Sequence, residues 1–197
     1  MHTSVFDEKF GRLGNKLFQY SFLYANARKN GIDWYYQDPR CFGEYEDEIK
    51  QLFGDNMGFM PYVSIHVRRA GNPSLLSELA YKDNPFYVKL TDTDYYEKAV
   101  LNFSDKKFLV FSDDPEFCKD YYLFQSKDFQ VMEKQNEIDD FNLAGSCEHH
   151  IIANSSYSWW YAYLSPNPSK KVVAPSIDKW YADGIERTKC PLEWLRI

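Results

Sequence analysis

The chain has 197 residues with 23 basic and 29 acidic side chains, which gives a formal net charge of −6. This length can bury a real core in one large domain or two small ones, and an apolar fraction of 44% excludes wholesale disorder. Because the balance is acidic and no run of lysine and arginine is present, no nucleic-acid partner is expected.

The first third of the chain is predicted to be a separate unit. A glycine-bearing turn at residues 11–15 precedes a segment, residues 17–25, whose apolar side chains recur at helical spacing. Residues 54–61 are rich in Gly, Asn and Pro, which makes them the best domain boundary. We therefore expect one lobe over residues 1–60 and a second domain over residues 61–197.

From residue 62 onward, predicted strands and helices alternate. Val63, Ile65 and Val67 alternate with polar side chains, as in a strand that is covered on one face. Strands are predicted at residues 62–67, 108–111, 128–132, 151–153 and 172–174. Helices are predicted at residues 92–103, from Asp114-Pro115 onward, after Asp139 and Asp140, and from the Asn154 region to residue 164. This βαβα order predicts an α/β fold with a parallel sheet and helices on its faces.

The cysteines and the termini indicate the compartment. Cys41, Cys118, Cys147 and Cys190 are too far apart in sequence for a CxxC redox or zinc motif. Free buried thiols in a reducing compartment are favoured over disulfides. No apolar run approaches the ~20 residues of a membrane helix, and residues 1–10 are too polar for a signal peptide. A soluble cytoplasmic protein is expected, with peripheral membrane association left open.

Polar side chains follow three of the predicted strands. Arg68 and Arg69 follow the first strand, on which His66 shares the face of Arg68; Asp114 follows the second; residues 154–156, Asn-Ser-Ser, follow the fourth. Parallel sheets bind ligands beyond these strand ends. A guanidinium suits phosphate, a helix start with small hydroxyl side chains cradles an anion, and a carboxylate accepts the N–H edge of guanine. The pattern predicts a site for a guanine nucleotide diphosphate.

Each of these residue types also has an ordinary structural role, and spacing alone leaves both interpretations open. The two arginines could form surface salt bridges. Asp114 and the two serines could serve only as helix caps. The histidine pair at residues 149–150 lacks spaced ligands, so no metal site is expected. The aromatic residues of 157–163 are more typical of core packing than of a sugar-binding platform.

Four segments, in chain order, carry a resemblance to a known family. They are GRLGNKLFQY at residues 11–20, SIHVRR at 64–69, FSDD at 111–114 and HHIIANSSYSWW at 149–160. They resemble the N-terminal turn, the H-x-R-R motif, the FSDD motif and the HHIIANSSFSWW signature of the α-1,2-fucosyltransferases, glycosyltransferase family 11. The C-terminal residues 191–197, PLEWLRI, are also similar to the end of that family.

The resemblance implies a GT-B-like arrangement, in which a Rossmann-like C-terminal domain binds the donor and a reduced N-terminal lobe faces the acceptor. It also implies inverting transfer of L-fucose from GDP-fucose to a galactoside hydroxyl, with an α-1,2 linkage. The partners would be GDP-fucose and a glycan acceptor, with no metal and no other cofactor.

The resemblance further implies roles for individual residues. Arg68 would hold the donor pyrophosphate and His66 would help to build that pocket; with Asn15, which would face donor and acceptor, they are the candidate catalytic residues. Asp114 would bind guanine, and Ser155 and Ser156 would meet phosphate oxygens. The predicted donor-binding set is Arg68, Arg69, Asp114, Asn154, Ser155 and Ser156.

Departures from the family pattern keep a second function open. Ala70-Gly71-Asn72 stands where the family has Gly-Asp-Tyr, and Tyr161 stands where glycine is usual. The spacing between the first two motifs predicts a lobe that is reduced between residues 27 and 62. The alternative is therefore a non-catalytic or degenerate module that binds a GDP-sugar or a glycan.

Overall fold

The computed structural model describes residues 56–69, 87–186 and 188–197, together with residues 13, 14, 16, 17, 21, 50, 51 and 54. Six parallel strands form one sheet in the order β3-β2-β1-β4-β5-β6. The strands are β1 (Met60–Val67), β2 (Lys107–Ser112), β3 (Phe129–Val131), β4 (Cys147–Ile151), β5 (Val172–Ala174) and β6 (Leu195–Arg196). The α/β class with a parallel sheet is confirmed, and the strand order is that of Rossmann-like folds.

Helices connect the successive strands. They are α1 (Tyr95–Val100), α2 (Pro115–Asp120), α3 (Glu137–Gly145), α4 (Ser156–Leu164) and α5 (Ile177–Trp180), with 3₁₀ turns at Leu90–Asp92 and Tyr122–Gln125. None of the helices in these described segments is long and apolar enough to cross a membrane. Most of the predicted N-terminal lobe lies outside the described residues, and its boundary at residue 60 coincides with the first residue of β1 and stays a prediction.

The strand predicted at residues 151–153 begins four residues earlier and ends two residues earlier in the structure, as β4 over Cys147–Ile151. The histidine pair before the predicted strand belongs to β4, and polar His150 is fully buried there. It fits there because the hydroxyl of Ser64, on neighbouring β1, lies 2.8 Å from its Nδ1. This contact lets a fully buried imidazole replace an apolar side chain.

Two predicted helices also differ in their ends. The helix predicted at residues 92–103 is shorter, since the Asn102 side chain donates to carbonyls of the last turn and competes with further helical bonds. The α3 cap is Asn136 rather than Asp139 or Asp140. The Asn136 side chain accepts hydrogen bonds from the N–H groups of residues 138 and 139 and so begins the helix earlier.

Both faces of the sheet are covered. Val63, Ile65 and Val67 of β1 lie in a core with residues of α1 and of the segment that follows it. Leu109 of β2 and Ile152 beyond β4 lie in a second core, which α3 and α4 complete. Within α4 every residue from Ser158 to Leu164 is buried, so this helix has partners on all its sides.

Two neighbouring tyrosines of α1 fix the carboxyl ends of the central strands. The buried Tyr95 hydroxyl donates to the carbonyls of Ile152, at 2.7 Å, and Val173, at 3.0 Å. The Tyr96 hydroxyl donates to the carbonyl of His66 at 2.9 Å. The ends of β1, β4 and β5 are therefore held in place by one helix beneath them.

Replacing Tyr95 with phenylalanine should lower the free energy of unfolding by about 1–2 kcal/mol, because a buried carbonyl loses its donor. Urea denaturation followed by fluorescence measures the change. The matched control is Tyr122→Phe, since the Tyr122 side chain is 64% exposed and its change should be within about 0.5 kcal/mol of zero. Equal losses for both variants would contradict the role given to the Tyr95 hydroxyl.

Three of the four cysteines, Cys118, Cys147 and Cys190, lie in the described part and are free thiols. Burial raises the pKa of Cys147 and of Cys190 to about 12 and that of Cys118 to about 11. These thiols stay protonated at neutral pH and act as small apolar side chains.

Candidate functional site

The sheet changes direction between β1 and β4, which are neighbours at its centre. The chain leaves β1 towards β2 on one side, and it leaves β4 towards β5 on the other. Such a switch point opens a crevice at the carboxyl ends of the two strands. Arg68 and Asn154 each lie three residues beyond the paired Ile65 and Ile151, so both follow the strand ends that border this switch point.

His66 lies at the carboxyl end of β1, with 5% of its surface exposed. Its ring centroid is 5.4 Å from that of Tyr157, in the first turn of α4. Burial lowers the pKa of His66 to about 4, and the nearby Asp113 carboxylate offsets this only in part. Its imidazole is therefore neutral at physiological pH, and within the described residues its buried Nδ1 has no hydrogen-bond partner.

The two arginines that follow β1 are directed apart. The Arg68 guanidinium donates to the Asp113 carboxylate and, by strand alternation, shares the side of His66 and α4. The Arg69 guanidinium lies 3.6 Å from the centre of the Phe117 ring and donates to the Thr91 hydroxyl at 3.2 Å. Of this pair, Arg68 is the one placed on the α4 side of the crevice.

The two aspartates that follow β2, Asp113 and Asp114, have different hydrogen-bond partners. Asp114 caps α2, since its Oδ1 accepts the N–H of Phe117 at 3.3 Å. Asp113 faces the end of β1 and uses both oxygens there, one for the Arg68 guanidinium and the other for the Arg69 main-chain N–H at 2.9 Å. Sequence reasoning gave Asp113 no role of its own. Its register opposite Arg68 was the signal, because Val67 pairs with Ser112 one residue earlier.

Asn154 holds the chain between β4 and α4. Its buried amide donates to the carbonyls of Val88, at 2.8 Å, Trp180, at 3.1 Å, and Lys179, at 3.3 Å. These contacts commit its donors to the backbone and position the helix start that follows. Ser155 is the N-cap residue of α4, yet its hydroxyl makes no capping hydrogen bond, and both it and Ser156 are half-buried.

Gly14 brings the N-terminal motif to the same place. A Cβ on this residue would lie 2.5 Å from the main-chain carbon of Ser156 and from the nitrogen of Tyr157, a distance that real contacts do not reach. The glycine therefore lets two backbones touch at the first turn of α4. Asn15, the neighbouring candidate, lies outside the described residues, as do Ala70, Gly71 and Asn72.

Known proteins are similar to this chain over most of its length. The sequence model for glycosyl transferase family 11 matches residues 43–197. The chain belongs to this family. It is 28% identical to an alpha-1,2-colitosyltransferase of Escherichia coli, in an alignment that covers 91% of the chain and 67% of the relative. It is 31% identical to the O-antigen biosynthesis glycosyltransferase WbnK of Escherichia coli, over 86% of the chain and 62% of that relative. The chain spans about two thirds of the length of these relatives.

Family 11 motifs that are distant in sequence are thus adjacent in space. H-x-R-R ends β1, FSDD ends β2, the histidine-rich signature forms β4 and the start of α4, and Gly14 of the N-terminal motif contacts that start. The described segments contain no group of three His, Cys, Asp or Glu side chains placed to hold a metal ion.

Replacing Gly14 with alanine should destabilise the protein by about 1–3 kcal/mol, because the new methyl group meets main-chain atoms that cannot turn aside. Thermal or urea unfolding measures this loss. Gly58→Ala is the matched control, since a Cβ there has as its nearest neighbour the Ser146 hydroxyl at 4.0 Å. If both variants unfold like the parent protein, the backbone contact is not formed.

Stability should fall between neutral and mildly acidic pH because of His66. A histidine in the unfolded chain titrates near 6.5, whereas burial lowers the pKa of His66 to about 4 in the fold. The unfolded state binds more protons between these values, so this contribution is complete above about pH 6.5 and is lost as pH falls towards 4. From pH ~7.5 to pH ~5 the loss from His66 is about 2 kcal/mol.

Urea denaturation at the two pH values, for the parent protein and for His66→Gln, measures this loss. Groups common to both proteins cancel in the comparison, His150 included, whose pKa burial also lowers. The variant should lose about 2 kcal/mol less than the parent. Parallel losses in the two proteins would show that His66 is accessible to protons in the folded state.

Proposed function

We propose that this family 11 protein transfers L-fucose, or a closely related deoxy sugar, from a GDP-linked donor to a hydroxyl of a galactoside. The transfer would form an α-1,2 linkage with inversion at the anomeric carbon. The donor diphosphate would lie in the crevice between β1 and β4, and the acceptor would approach from the side of the N-terminal motif.

The observation that carries this proposal is the contact between His66, at the end of β1, and Tyr157, in the first turn of α4, because Arg68 follows His66 by two residues. A guanidinium presents a planar fork of donors that matches phosphate oxygens. The start of a nine-residue helix presents main-chain N–H groups and the positive end of the helix dipole. Two independent anion-binding elements at a sheet switch point fit a diphosphate better than a neutral ligand.

Of the other residues predicted to bind the GDP-sugar, some would touch the nucleotide and others would hold the binding residues in place. Asp114 would accept the N–H edge of guanine with the oxygen that does not cap α2. Ser155 and Ser156 would donate their hydroxyls to phosphate oxygens. Asn154 would act from behind, since its amide fixes the loop that aims the helix start. Arg69, held by Phe117 and Thr91, would add positive charge at the rim of the crevice.

Catalysis would rest on stabilising the leaving group. As the acceptor oxygen attacks the anomeric carbon, the bond to the β-phosphate oxygen breaks and negative charge grows on GDP. Arg68 and the N–H groups of α4 would already point at that charge, so little reorganisation is needed in the transition state. Neutral His66 would shape the pocket wall beside Tyr157 without adding a charge of its own.

The name of one relative indicates which sugars the donor could carry. One of them is named for transfer of colitose in an α-1,2 linkage, and colitose differs from L-fucose by the absence of one hydroxyl group. A site that hydrogen-bonds the hydroxyl of fucose would reject colitose by about 10⁴-fold, whereas an apolar surface there discriminates only about 10–200-fold. The ratio of kcat/KM for the two GDP-sugars identifies the donor.

Binding of GDP by isothermal titration calorimetry tests the site. Arg68→Lys keeps the charge but loses the fork, so GDP affinity should fall about tenfold, and Arg68→Ala should cost up to about a hundredfold. Arg196→Lys is the control, because Arg196 pairs with Glu186 away from the crevice. No GDP binding by the parent protein would refute the proposal.

Transfer assays with GDP-fucose, GDP-colitose and lactose then separate the two functions. Formation of a fucosylated or colitosylated product supports the enzyme. Tight GDP binding with neither transfer nor donor hydrolysis supports a binding module, the function favoured by the Ala70-Gly71-Asn72 departure.

A further inference from the structure

Asp113 is the group that joins the ends of β1 and β2. Its carboxylate receives the Arg68 guanidinium at one oxygen and the Arg69 main-chain N–H, at 2.9 Å, at the other. The side chains of Arg68 and Asp113 are only 12% and 15% exposed, so solvent screens this ion pair weakly. The carboxylate of Asp113 therefore contacts both the main chain and the guanidinium that follow β1.

The backbone at these strand ends has other supports. The Ser112 hydroxyl donates to the carbonyl of Val67 at 2.8 Å and accepts the N–H of Asp114 at 3.0 Å. Arg69 is held by the Phe117 ring and the Thr91 hydroxyl. What Asp113 supplies beyond these contacts is the ion pair with Arg68.

We propose that Asp113 is a positioning residue for the donor diphosphate, acting through Arg68 and not by touching the donor. The inference rests on the proposed function, because it gives Arg68 a phosphate to bind. A long arginine side chain free to rotate loses much of its entropy when it binds phosphate, and a fixed one loses less. Asp113 orders the guanidinium before the donor arrives.

Because Asp113 carries a negative charge, a mutation that removes only this charge distinguishes the positioning role from a purely structural role. A carboxylate near a diphosphate repels it unless an arginine lies between them. Removing the charge should therefore weaken donor binding when Arg68 is present. It should not weaken binding when Arg68 is absent, and it should then improve binding slightly.

The experiment is a double-mutant cycle on GDP affinity. The parent protein, Asp113→Asn, Arg68→Ala and the double variant are titrated with GDP, using the thermal shift at millimolar GDP where affinity is weak. Asparagine keeps an acceptor for the Arg69 N–H while removing the charge. Asp120→Asn, an exposed position at the end of α2, controls for the loss of one negative charge.

We expect Asp113→Asn to weaken GDP binding about tenfold in the parent background and not at all in the Arg68→Ala background. Equal weakening in both backgrounds, or none in either, would overturn the positioning role and leave the proposed function standing. A parent protein that does not bind GDP would overturn both. If Asp113→Asn does not fold, Asp113→Glu replaces it, with a smaller loss that must again depend on Arg68.

Discussion

Most of this structure depends on one helix that is buried on all sides. α4 carries Trp159, Trp160, Tyr161 and Tyr163 in succession, and each of these rings is at most 8% exposed. A helix with apolar side chains all around it needs cover on every face. The sheet and α3 cover one side, while Leu13, Leu17 and Trp194 pack in the same core. The helix therefore holds the N-terminal motif, the sheet and the C-terminal residues together.

The burial of α4 also fixes where its first turn lies. With the helix body unable to shift, Ser155 and Ser156 stand at the switch point beside the end of β1. Asn154 ties the preceding loop to three carbonyls, and Gly14 presses on the Ser156–Tyr157 backbone from the other side. Packing far from the crevice thus fixes the position of the helix start, as the proposed stabilisation of the leaving-group charge would require.

Sequence periodicity predicted the parallel sheet, the strand at residues 172–174 and the helix ending at residue 164, because apolar runs and caps are local signals. It placed the start of β4 four residues too late, because the pairing of this strand with β1 and the contact of His150 with Ser64, 86 residues away, are not local signals. The candidate site residues were predicted from their places at strand ends. Asp113 was not among them, because its contact with Arg68 joins the ends of two strands, which no short segment encodes.

Net charge does not explain how such a site would attract a diphosphate. The chain carries a formal charge of −6, and at the ends of β1 and β2 the formal charges of Arg68 and Arg69 are matched by those of Asp113 and Asp114. Burial keeps His66 neutral, so it adds nothing. Attraction would then depend on how the local groups are oriented. Arg68 and the main-chain N–H groups at the start of α4 would offer donors to the phosphates. The carboxylates of Asp113 and Asp114 already accept hydrogen bonds, from Arg68 and from the first turn of α2. If the proposed function holds, such a site would select a ligand whose two phosphates match these positions, rather than any anion.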